Sequence, residues 1–180
     1  MKDKCRIIDE LHVTIRDKYG NIKKDYTVNK GIFYKILHKL GLKYNSIVHD
    51  GMAQMALLAI NASATPFTYM DIGTGTNAAN NAQTALQTTQ LPTHRASATV
   101  SRVTTDAQAP NDTSQWVHTF SKANDADLTG TDVITEVGIF TTDVGTDLML
   151  LRIVWAGDSC NWDAGDTLQL TVKCQMKQGS

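Results

Sequence analysis

Pro66 marks a change of hydrophobic period, and that change constrains the fold more than any other feature. Before it, Ile32, Phe33, Ile36, Leu37 and Leu40 recur at helical spacing, as do Ile47, Val48, Met52, Met55, Ala56, Leu58 and Ala59. After it, apolar residues alternate in short runs separated by Thr-, Asn-, Asp- and Gly-rich segments. Side chains repeat every 3.6 residues on a helix and every two on a strand, so the two halves need different elements. The pattern predicts strands over residues 67–73, 94–104, 114–121, 132–140, 147–155 and 166–176, with loops at 105–113 and 122–131. Short strands at regular spacing predict a mainly β chain built as an antiparallel, jelly-roll-like β-sandwich.

The first part of the chain reads differently. Residues 11–15 alternate, 17–21 supply a turn and 22–28 return, which predicts a β-hairpin. A helix is expected over 30–40, stopped by Gly41. A second is expected to begin with Asn45 or Ser46 as N-cap, with Asp50 near its first turn, and to break in 61–66. The division expected is therefore 1–66, hairpin and helices, and 67–180, the sandwich body. The hairpin reads as an arm whose loss would leave the body folded.

The formal net charge of −1 conceals an asymmetry. Residues 1–50 hold 11 Lys and Arg against 6 Asp and Glu, and residues 51–180 hold 6 against 12. A basic segment beside an acidic remainder predicts contact with an acidic surface of the same chain, a neighbouring copy or another protein. The basic residues are interleaved with acids, which argues against nucleic acid as a partner. Cys5, Cys160 and Cys174 have neither zinc nor disulfide-framework spacing and read as buried thiols. The charged start lacks an apolar stretch after it, so no signal peptide is predicted. Apolar runs such as residues 55–60 are too short to span a bilayer. The expectation is a soluble protein made in the cytoplasm, with no membrane partner.

Candidate chemistry is sparse. Gly73 and Gly75 follow a strand, as phosphate cradles do, but no Lys-Ser or Lys-Thr follows them. They read instead as a turn needing positive φ, and the polar run 77–86 after them as a segment that could turn helical. His12, His38, His49, His94 and His118 lack metal-ligand spacing. His49 and Asp50 are adjacent, so they face different ways on a helix. Glu136 sits in an apolar run, where a carboxylate is either desolvated or paired; Arg95, Arg102 and Arg152 are the expected partners. Residues 124–127 and 143–147 carry calcium-like acids without a full calcium loop and read as hairpin turns. Asn61 and Asn111 stand in glycosylation patterns that arise by chance. Trp116, Trp155 and Trp162 are core residues or, if exposed, interface anchors or a sugar platform. No catalytic residue, cofactor site or metal site is expected.

One resemblance emerges from these motifs. Tyr69-Met-Asp-Ile-Gly-Thr-Gly-Thr76, Gln83-Thr-Ala-Leu86, Arg95 and Ile134-Thr-Glu-Val-Gly-Ile-Phe140 resemble accessory structural proteins of tailed phages. The hairpin turn at 17–21 and the segment 51–55 resemble the front of such proteins, and the likeness covers roughly residues 11–175. The extra helix at 30–43 departs from the simplest pattern. The resemblance implies a non-enzymatic virion protein that binds copies of itself and other virion proteins, such as the major capsid protein. A capsid decoration or cement subunit is the first expectation. A tail, baseplate or fibre-attachment protein is the second, and a carbohydrate-binding module using an exposed Trp is the third.

Overall fold

The computed structural model describes residues 5–28, 45–61, 63–104, 112–145 and 148–178. Within them the chain is mainly β, with two five-stranded antiparallel sheets and one helix. The first sheet has the order Ile22–Val28 (β2), Cys5–Arg16 (β1), Thr167–Gln178 (β10), Thr113–Phe120 (β7) and Thr99–Val103 (β6). The second has the order Asn45–Ile47 (β3), Met149–Asn161 (β9), Thr131–Phe140 (β8), Tyr69–Gly73 (β4) and Ala96–Ser97 (β5). The single helix, His49–Ile60 (α1), packs on β9. The helix expected at 30–40 lies outside the described residues.

Alternation sends one face of each sheet into a shared core. Leu11, Val13 and Ile15 of β1 and Leu168, Leu170 and Val172 of β10 meet Ile72 of β4, Val137 and Ile139 of β8, and Leu151 and Ile153 of β9. Ile134, Val137 and Ile139 are fully buried, as the two-sided apolar run 133–140 predicts. β1 is an inner strand, paired with β10 from Cys5↔Gln178 to Arg16↔Thr167. The expected arm is thus part of the core, and residue 66 separates no two cores among the described residues.

Two local expectations are corrected. Asn45 and Ser46 are not helix caps: they pair with Ile153 and Arg152 in β3, and α1 starts at His49 after Val48, which makes no side-chain cap. Pairing to a strand a hundred residues away overrides the local capping signal. Met55 and Leu58 of α1 pack against the core, whereas Met52 is exposed. The run 77–86 forms turns rather than a helix, because Asn80 and Gln83 spend their side chains on nearby backbone: Ala82 N donates to Asn80 Oδ1 (2.8 Å) and Asn80 N to Gln83 Oε1 (3.0 Å).

Candidate functional site

The densest polar cluster lies on the face of the second sheet turned away from the core, under the segment 74–95. Its centre is Glu136 on β8, fully buried, ion-paired with the equally buried Arg152 of β9 at 2.6 Å. Glu136 Oε1 accepts the backbone N–H of Gly75 (2.9 Å) and of Thr88 (2.9 Å). Oε2 accepts Arg152 Nε and the N–H of Gln87 (3.2 Å). Arg152 Nη1 donates to Asn77 O (2.9 Å) and Gln83 Oε1 (3.2 Å), while Nη2 has no partner among the described residues. Both carboxylate oxygens are occupied by donors of the fold, so Glu136 is a rivet between segment and sheet rather than a free acid or base.

This geometry corrects the reading of Gly73 and Gly75. Neither has positive φ. A Cβ on Gly75 would stand 2.5 Å from Glu136 Oε1, and one on Gly73 2.4 Å from Thr88 O. The glycines are there for close approach. The Gly-rich turn does cradle an anion through Gly75, and that anion is the protein's own carboxylate.

Beside the rivet, Asp71 of β4 and Arg152 flank Gly138 across the sheet. Asp71 is buried, with Thr89 Oγ1 donating at 2.8 Å. Burial lifts its pKa to about 6, against the opposing pull of the Thr89 bond and of Arg95. Arg95 lies 3.8 Å from Asp71, over the Phe140 ring at 3.9 Å, and donates to Thr142 O (3.1 Å) and Gly145 O (3.0 Å). Of the three arginines expected to partner Glu136, Arg152 is the one that does. Arg102 is exposed on β6.

A second buried carboxylate fastens the two sheets together. Asp158 of β9 takes Lys24 Nζ of β2 at 2.6 Å, the Tyr26 hydroxyl of β2, and Trp155 Nε1 at 3.0 Å. Burial, followed by the bond to Asp158, raises the Tyr26 hydroxyl above its ordinary range. Lys23 reaches the buried Asp166 at 2.7 Å, and that bond raises its ammonium. Two lysines of the basic first segment therefore meet acids of the same chain. Cys160 and Cys174 are buried; burial first, and then Asp166, pushes the Cys160 thiol up to about 12. The side chain of Cys5 lies outside the described ones.

The remaining candidates have structural partners. His12 pairs with Asp25 (2.7 Å), His94 with Asp143 (3.3 Å), His118 with Asp125 (3.2 Å), and His49 with Asn81 (2.8 Å). His38, Asn111 and Asp147 lie outside the described residues. His94, Arg95, His118, Asp125 and Asp127 line a surface hollow of about 450 Å³, but there Asp125 is held by His118 and Asp127 by Thr93 (2.9 Å). Among the described residues no group of three His, Cys, Asp or Glu is placed to hold a metal, and no helix is long and apolar enough to cross a membrane. All three tryptophans are buried, with indole N–H groups bonded to Phe67 O (2.7 Å), Asp158 (3.0 Å) and Asp132 (2.9 Å). None is the exposed platform a sugar site requires. No protein-family model, no curated protein and no solved structure matches the chain.

Proposed function

We propose that this chain is a non-enzymatic structural protein of a tailed-phage virion, a capsid decoration or cement subunit that self-associates on the particle. Its two sheets form a sandwich with jelly-roll-like winding. The pairings β1–β10 and β3–β9, which bring distant parts of the chain side by side in each sheet, support that winding. The observation that carries the functional reading is the Glu136 rivet, on which the motifs Tyr69 to Thr76 and Ile134 to Phe140 converge. These two motifs of the phage resemblance thus serve one purpose, the rigid attachment of a covering segment to a sheet. Rigidity of this kind suits a protein whose work is contact.

The test is quantitative mass spectrometry of the purified particle that carries this chain. The expected result is a copy number that tracks the major capsid protein. A copy number matching the low-fold rings of the tail moves the protein to the tail, baseplate or fibre attachment. Absence from the particle overturns the reading.

A further inference from the structure

We infer that β6 is a self-association edge, at which two copies pair their β6 strands antiparallel about Ser101. The inference deepens the assembly reading above and rests on it for the choice of a second copy as partner. Of the four sheet edges among the described residues, β3 has three residues and β5 two, too short to template another strand. β2 is guarded by Lys23, Lys24 and Asp25, and its lysines are tied across to Asp166 and Asp158. β6 is the least protected of the four, with Arg102 as its single charge. It is five residues long, Thr99 to Arg102 are exposed, and its sequence Thr-Val-Ser-Arg-Val contains no Pro and no Lys. Among the described residues its backbone hydrogen bonds lead to β7 alone, and none of those residues meets the outward N–H and C=O groups of its other edge.

Charge selects the partner. In an antiparallel pairing of two β6 strands about Ser101, Thr99 faces Val103 of the other copy, Val100 faces Arg102, and Ser101 faces itself. The single charge of the strand is never directly opposite its own kind, and the Arg102 stem covers the exposed Val100. Val100 is opposite the buried Trp116 in the β6–β7 ladder. The core-facing side of the first sheet therefore continues through β6 past the end of the core, and a second copy would extend it further. The contact is a strand addition of the kind that gives affinity through main-chain bonds.

The register makes a sharp test. Sedimentation of the full chain up to about 100 μM should show a monomer–dimer equilibrium. Ser101→Lys and Ser101→Glu each place two like charges face to face, and each should weaken the dimer about 5-fold or more. Mixing the two variants in equal amounts should restore it, because Lys then faces Glu. Ser101 is exposed, and its contact to Gln115 is a long 3.4 Å bond, so unchanged thermal unfolding of both variants serves as the folding control. A wild-type chain monomeric throughout, or single variants that dimerise as well as wild type, overturns the proposal. Dimerisation abolished by each variant and not restored on mixing overturns the register. These outcomes are independent of the particle analysis: a chain present in the virion yet monomeric defeats this inference alone, and a dimer absent from the virion defeats the functional reading alone.

Discussion

Glu136 and Asp158 are both buried carboxylates, and they are held in opposite ways. Three of the four donors on Glu136 are backbone N–H groups; only Arg152 is a side chain. Asp158 is held by side chains, Lys24, Tyr26 and Trp155. The first arrangement welds a covering segment to a sheet through the backbone of Gln87 and Thr88 rather than their side chains, while demanding glycine where the backbone comes closest. The second joins strands of two different sheets, and there each partner's identity counts. A buried charge can thus be specified by chain path or by residue type, and only the second kind can be read residue by residue.

The largest effect should follow Arg152→Met, which leaves the Glu136 charge buried among neutral donors. The expected loss is about 3–5 kcal/mol in chemical denaturation. Adding Glu136→Leu should not return the protein to wild-type stability, because the N–H groups of Gly75, Gln87 and Thr88 then lose their acceptor. Full recovery in the double variant would break the comparison, since it would make the backbone donors dispensable.

A smaller effect is expected from Asp71, in the same layer. The folded state holds its proton up to a pH of about 6, whereas the unfolded chain releases it near the ordinary value of 3.8. Stability from this group is therefore complete below a pH of about 4 and is lost as pH rises through about 6. Relative to Asp71→Asn, wild type should lose about 2–3 kcal/mol between pH 4 and pH 7. Parallel stability curves for the two proteins would show that Asp71 is not desolvated by the segment above it. The smallest effect should come from Tyr26→Phe at the other carboxylate. Lys24 and Trp155 remain on Asp158, so the expected loss is about 1 kcal/mol. A loss as large as that of Arg152→Met would erase the distinction between the two sites.

Much of the strand pattern was legible because alternation records burial directly. Five of the six strands expected after Pro66 are present; the one expected over 94–104 is broken at Ala98 into β5 and β6, which belong to different sheets, and the turn at 17–21 joins the expected hairpin. The end of β9 was not legible: residues 156–161 contain Ala, Gly, Asp, Ser and Asn, which read as loop. Residues 158–161 are extended because they pair with residues 131–134 of β8 beyond a register shift at which 156 and 157 lie. Glu136 was legible as a carboxylate needing a partner, and Arg152 was among the partners expected. The role of Gly73 and Gly75 was hidden, because the atoms that exclude a side chain there belong to Glu136 and Thr88, remote in sequence and brought close only by folding.

The ladder between β1 and β10 also bears on how the chain is made. β1 can meet β2 across a short turn, but its other neighbour, β10, lies at residues 167–178, far along the chain. Until residues 167–178 are free, Leu11, Val13 and Ile15 lack their partners Val172, Leu170 and Leu168. The first sheet therefore closes late, through contacts of large sequence separation, which slows folding. In the interval a half-paired apolar strand stands open to other nascent chains, and productive synthesis depends on keeping such chains apart.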